Sequence, residues 1–223
     1  MSFGVKLKVW GDHACFTRPE MKVERISYDV MTPSAARGVL EAIHWKPTIL
    51  WVVDAIHVLN PIRFTSIRRN EVGAKIPTGS VKSAMKRGDT NGLGLAVDEN
   101  RQQRAATVLV KPAYLIEAHF ELKAKAGESE TAAKHIAMFN RRGANGQCFH
   151  RPYLGTREFA AHFELVEGDL PDSTLPADQR NRDLGWMLHD IDHANNFTPY
   201  FFRAKLVDGV MAVPMLNSGQ VVA

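Results

Sequence analysis

The sequence predicts an α+β fold, and three observations carry that expectation. Stretches with apolar residues at every second position alternate with stretches repeating near every 3.6 residues; they come in the order strand, helix, strand, strand, helix, strand; and beyond Gly168 the composition shifts to Pro, Asp and Ser, setting off a C-terminal segment. That order is the split βαβ, or ferredoxin-like, arrangement. The expected organisation is a main domain over residues 1–168, interrupted by a basic insertion at 70–100, followed by a small antiparallel β domain over 169–223.

Taken in order, Phe3 to Trp10 alternates Val5, Leu7 and Val9 against Lys6 and Lys8, the pattern of a strand with one buried face. Thr32 or Ser34 can cap a helix carrying Ala36, Val39, Leu40 and Ile43 at helical spacing, which ends near His44 before Pro47. Residues 48–59 are β-branched and apolar, and "PIRFTSIRR" reads as their hairpin partner. From Asn70 to Asn100 periodicity collapses among Gly and polar residues, with Lys75, Lys82, Lys86 and Arg87, as expected of a long mobile loop with a functional role. Strands resume at "AATVLV" and at 113–122. A helix follows in "ETAAKHIAMFNRRGANGQ", then a strand in "REFAAHFELVE" with Phe159, Ala161, Phe163 and Leu165 on one face. In the C-terminal segment, Asp208-Gly209 reads as a two-residue hairpin turn.

Charge is distributed unevenly. The net charge is +4, yet Pro61 to Lys111 holds ten Lys or Arg against four Asp or Glu, while Glu158 to Asn195 holds nine acidic residues against Arg180 and Arg182. The middle of the chain therefore suits a polyanion. Two cysteines cannot build a disulfide framework, and there is neither a leader-like segment nor an apolar run of membrane-spanning length, so a soluble protein of the reducing cytoplasm, without membrane contact, is expected.

Helical spacing places Arg141 two turns below Lys134 and Arg142 likewise below His135, with Gly143 and Gly146 next in the chain. This corner can let backbone N–H groups approach a phosphate, or it can be a helix C-terminus whose arginines complement the macrodipole. A histidine's ordinary pKa, about 6.5, permits proton transfer near neutrality. Cleavage of RNA needs a base for the 2′-hydroxyl, a cation for the phosphate oxygens and an acid for the leaving 5′-oxygen. His135, Lys134 and, from the end of the first helix, His44 supply those types, although His44 read alone also fits a helix-terminal dipole partner or a satisfied interior histidine.

Backbone phosphate contacts are expected from Arg18, Lys22, Arg25, Lys46, Arg63, Arg68, Arg69, Arg101 and Arg104, and base stacking from Phe16, Tyr28 and Trp45. No aromatic pattern of the sheet-face RNA-binding type is present. Two further sets compete: His13, Cys15, Cys148 and His150 as zinc ligands, and Asp190 with Asp192 in "HDIDH" as a divalent-ion site or a charged edge strand. The first lacks the common C-x₂₋₄-C spacing and reads equally as two buried thiols and two surface imidazoles, and no cofactor is expected.

Several long stretches resemble the subtype I-C branch of CRISPR-associated protein family five, in the RAMP superfamily. They are "VWGDHACFTRPEMKVERISYDVMTPSAARGVLEAIHWKP", "RRNEV", "NRQQRAATVLV", "AKHIAMFNRRGANGQ" and "YLGTREF". The resemblance implies a ferredoxin-like, RRM-like domain with a small C-terminal sheet. It also implies a metal-independent endoribonuclease that cuts precursor CRISPR RNA at the base of the repeat hairpin, leaves a 2′,3′-cyclic phosphate, and keeps the 5′ handle alongside the backbone and large subunits of the surveillance complex. The other reading is a non-catalytic subunit that only holds the 5′ handle. The family's catalytic pattern, a tyrosine followed later by adjacent lysine and histidine, maps onto His44, Lys134 and His135. His44 replaces the tyrosine, and imidazole is a better base near neutrality than a phenol of pKa about 10. On this pattern His44 takes the 2′-hydroxyl proton, His135 protonates the leaving oxygen and Lys134 stabilises the phosphorane, with the histidine roles exchangeable.

Overall fold

The computed structural model describes residues 4–123, 130–193 and 195–223. Its strands and helices are, in chain order, β1 (Gly4–Trp10), β2 (His13–Ala14), β3 (Arg25–Ile26), α1 (Pro33–Ile43), β4 (Ile49–Val58), β5 (Phe64–Val72), α2 (Thr78–Arg87), β6 (Arg101–Val110), β7 (Ala113–Leu122), α3 (Ala132–Ala144), β8 (His162–Leu165), α4 (Ala177–Arg180), β9 (Arg182–Asp192), β10 (Thr198–Leu206), β11 (Val210–Ala212) and β12 (Val221–Val222). Phe3, the first residue of the first expected strand, lies outside the described residues.

Contacts gather this mixed α+β chain into two compact units. One joins the residues up to Thr65 with those from Thr107 onward; the other is Ser66–Ala106.

In the first unit, a five-stranded antiparallel sheet has the order β11-β4-β7-β1-β8. Its register places Leu7 opposite both Ile116 and Leu165, and Ile56 opposite Ile116, so one face becomes continuously apolar. Leu7, Val9, Ile56 and Ile116 are fully buried there. Helix α1 packs on β4, α3 packs on β1 and β8, and the two helices touch each other, so both cover this face. A second, three-stranded sheet runs β12-β10-β9, and α1 also contacts β9.

The two helices start as their sequences direct. Thr32 caps α1 by accepting from the Ala35 amide at 3.3 Å, and Thr131 caps α3 by accepting from the Lys134 amide at 3.3 Å. Each satisfies an amide that the helix itself leaves unpaired. Thr32→Ala is expected to lower stability by about 1 kcal/mol, read as a lower urea midpoint at unchanged slope. The expected hairpin turn is also present. Asp208 and Gly209 both have positive φ, 50° and 80°, and Val207 and Val210 exchange backbone hydrogen bonds of 2.9 and 3.0 Å.

Two expectations are corrected. The segment after Pro61 does not pair with β4, whose neighbours are β7 and β11; it forms β5 and pairs with β6. Every second residue of β5 is exposed and none is fully buried, whereas β7 buries Ala113 to Ile116, Ala118 and Phe120. The central position went to the strand with more apolar surface to hide. The second correction is in residues 70–100, which are not one irregular loop. They contain α2, which ends at Gly88 with φ 75°, the conformation that glycine adopts without a steric penalty. Only Ala84 of α2 is buried, so its apolar period was too sparse to read.

Candidate active site

The site is built where α1 ends. The last carbonyls of a helix have no partner within it, and here other parts of the chain supply them. The His44 amide donates to Leu40 O at 2.9 Å, the Phe149 amide to Ala42 O at 2.8 Å, Arg142 Nη1 to Ile43 O at 2.7 Å, and Trp51 Nε1 to His44 O at 2.8 Å. The helix's own last bond, to Leu40 O, and donors from three other segments thus fix the backbone from which the His44 ring projects.

His44 Nε2 lies 3.1 Å from His135 Nδ1, so one of the two facing nitrogens carries the proton of that hydrogen bond. His135 Nε2 in turn lies 2.8 Å from Glu130 Oε2, though without hydrogen-bond alignment. The same carboxylate accepts from Lys134 Nζ at 2.6 Å and from Thr48 Oγ1 at 3.3 Å. Phe120 meets the His135 ring edge-on at 5.9 Å, and Phe139 packs on Trp51 at 4.9 Å. The chain of groups therefore runs from a dry interior to the surface: His44, His135, Glu130, Lys134. Both imidazoles have 0 % exposure, while the Lys134 side chain has 46 %.

Burial pulls the His44 pKa down to about 4, reinforced by the neighbouring Arg142, His135 and Lys46 and opposed by Glu130. His44 is thus neutral at pH 7. The Glu130 carboxyl is held below its ordinary range, chiefly by the hydrogen bond from Lys134.

The structure brings His44, Lys134 and His135 together in one contiguous chain of contacts through Glu130, but in this conformation neither imidazole offers surface to a nucleic acid. Glu130 is the member that sequence reading missed. Its signal was the i, i+4 spacing to Lys134, ordinarily a surface helix pair.

The other expected residues divide by environment. Arg142 is engaged with Ile43 O, and Gly143 lies buried inside α3, where an added Cβ would meet the Leu165 Cβ at 3.4 Å. Gly146, at φ 64°, turns the chain out of the helix, and the Gln147 amide donates to Arg142 O at 2.8 Å. This corner has the geometry of a helix C-terminus. Arg141, Lys46 and Lys22 are exposed. Arg18 donates to Asp29 at 3.2 Å and lies over the Tyr28 ring, and Arg25 lies 4.0 Å from Glu158.

Arg68, Arg69, Arg101 and Arg104 belong to the second unit. That unit holds eight Lys or Arg against four Asp or Glu, leaving twenty of each in the rest of the chain, and it contains no aromatic residue. The whole net charge of the protein therefore sits in a segment able to grip phosphate but not to stack bases.

Of the expected stacking residues, Phe16 and Tyr28 are 2 % exposed and belong to the core; Trp45 is 52 % exposed. His13 and His150 pack against aromatic rings, Cys15 is buried and Cys148 exposed, and Asp190 accepts from Arg37 at 2.8 Å. Among the described residues no three His, Cys, Asp or Glu side chains cluster as metal ligands, and no helix is long and apolar enough to cross a membrane.

Residues 4–214 match the family model described as CRISPR-associated protein (Cas_Cas5). A protein of Mannheimia succiniciproducens named "CRISPR pre-crRNA endoribonuclease Cas5d" is 57% identical over 223 residues, 99% of either chain. A protein of the same name from Thermus thermophilus is 39% identical, covering 94% of this chain and 91% of its own. Two solved structures share the fold: one described as a CRISPR-associated protein (TM-score 0.66, 22% identity, 99% of this chain and 96% of that one) and a functionally uncharacterized protein from Streptococcus mutans (0.66, 20%, 99% and 97%). With almost every residue between Gly4 and Ala223 inside these alignments, the chain belongs to the CRISPR-associated Cas5 family, in its Cas5d branch.

Proposed function

We propose that this protein is an endoribonuclease of the cytoplasm that cuts precursor CRISPR RNA near the base of the repeat hairpin, without metal, and then holds the 5′ handle beside the backbone and large subunits of a surveillance complex. The observation that carries this reading is the convergence of His44, His135 and Lys134 within one chain of contacts through Glu130, with 3.1 Å between the facing ring nitrogens of the two histidines. It occurs in a sequence 57% identical to a protein named for that activity. The helices that hold these residues belong to a β1-α1-β4-β7-α3-β8 series whose sheet order, β4-β7-β1-β8, suits a ferredoxin-like domain.

In the proposed reaction one histidine removes the 2′-hydroxyl proton, O2′ attacks phosphorus, the P–O5′ bond breaks, and the other histidine protonates O5′, leaving a 2′,3′-cyclic phosphate. Lys134, already at the surface, neutralises the phosphate oxygens. RNA must displace the cover over the rings for this to happen. That displacement relieves the burial that holds His44 near pKa 4, returning it toward the range where a base works best at neutral pH. Arg68, Arg69, Arg101, Arg104, Arg18, Lys22, Arg25, Lys46 and Arg141 supply backbone contacts, while Arg142, Gly143 and Gly146 shape the corner that holds α3 against α1.

One observation favours a second reading, a subunit that holds the 5′ handle without cutting: both imidazoles are wholly enclosed. Incubating the purified protein with repeat RNA in EDTA separates the two. Discrete cleavage products ending in a cyclic phosphate are the expected result; tight binding with intact RNA would establish the handle-holding role, and cleavage abolished by EDTA would refute the metal-free chemistry.

A further inference from the structure

The end of α1 carries a second feature that the proton-transfer groups do not use. Phe149 is 86 % exposed and Trp45 is 52 % exposed. Large apolar rings are normally withdrawn from water, and here both are displayed from a fixed backbone. Trp45 follows His44 directly. Phe149 is held by its own amide, which donates to Ala42 O at 2.8 Å, two residues before His44. The turn at Gly146 and the bond from the Gln147 amide to Arg142 O fix the chain leading to it.

The Phe149 ring meets His150 at 6.1 Å, and His150 stacks on Tyr153 at 6.4 Å with 26° between the planes, so a row of rings extends from Phe149. The two segments that carry these rings hold charges of one sign, and the carboxylate that reaches them, Glu130 against Thr48, is already paired with Lys134. Residues 141–153 and 44–48 contain Arg141, Arg142, Arg151 and Lys46 but no Asp or Glu, and Arg141, Arg151 and Lys46 are exposed.

Exposed rings on two segments that carry cations and no carboxylate of their own suit a strand with negative backbone and accessible base faces. A duplex hides those faces, and an apolar protein partner has no use for the cations. We propose that Phe149 and Trp45 form a stacking platform for unpaired bases of the RNA strand beside the bond to be cut. This inference rests on the endoribonuclease reading and names which part of the substrate the site grips.

The test uses the full chain, a twelve-nucleotide single-stranded uridine RNA, and a blunt RNA duplex of equal length. Phe149→Ala is expected to weaken binding of the single strand about tenfold or more and to change duplex binding less than about twofold, with the salt dependence of affinity unaltered because no phosphate contact is lost. Phe149→Trp should restore affinity and Phe149→Leu should not. The single strand should quench tryptophan emission of the parent protein and fail to do so in Trp45→Phe. Wild-type affinity of Phe149→Ala for the single strand, an equal loss on the duplex, or rescue by Leu would overturn the platform. If the parent cuts repeat RNA while Phe149→Ala binds single strands normally, only the platform falls; if the parent neither binds nor cuts repeat RNA, the endoribonuclease reading falls with it.

Discussion

His135→Ala is expected to cut repeat RNA about 10²- to 10⁴-fold more slowly than the parent protein, the range lost when one general acid or base is removed. The same substitution leaves a cavity beside Phe120 and strips His44 Nε2 of its partner. Both effects cost stability, of the order of 2–4 kcal/mol together, so the rate must be measured below the variant's own melting transition. Asn at position 135 is the companion: it retains a polar group facing His44 but cannot exchange a proton near neutrality. If His135→Asn is folded and slow, the loss is chemical. If both variants are folded and cut at the parent rate, His135 has no part in proton transfer. If His44 and His135 serve one reaction as proposed, coupled through their 3.1 Å contact, the double variant should lose little more than the worse single variant.

The second large effect is on stability against pH. His44 has a folded-state pKa of about 4 against an ordinary value near 6.5. Above pH 6.5 the ring is neutral in folded and unfolded chains alike and contributes no pH dependence. As pH falls from about 6.5 to about 4, the unfolded chain binds a proton that the buried ring refuses, so stability drops by up to about 1.4 kcal/mol per pH unit, about 3 kcal/mol across the window. His44→Gln keeps a hydrogen-bonding group toward His135 and cannot titrate. Urea unfolding at pH 7, 5.5 and 4.5 should show the variant losing less stability on acidification than the parent. Parallel curves would mean that His44 is not held neutral by burial.

Much of the architecture lay in local pattern. Alternation in "VKLKVW" and the 3.6-residue spacing of Ala36, Val39, Leu40 and Ile43 reflect which side of each element faces oil, and Thr32 and Thr131 mark helix starts because amides there need an acceptor. The placement of His44 at the end of one helix and of Lys134 and His135 on the other follows from the same local rules.

Other features depend on competition between distant segments, which no window of sequence contains. β5 lost the place beside β4 because β7 buries more apolar surface, and α2 was invisible because only Ala84 of its ten residues is buried. By itself the sequence determined the strand, helix, strand, strand, helix, strand order of the main elements and the kinds of groups available for chemistry. Only the tertiary structure decided that Glu130 bridges Lys134 and His135, that Arg142 closes the end of α1 by donating to Ile43 O, and that the two imidazoles are sealed from water. Hydrogen-bond partners and burial are set by which elements pack together, and the free energy of that packing is summed over the whole core.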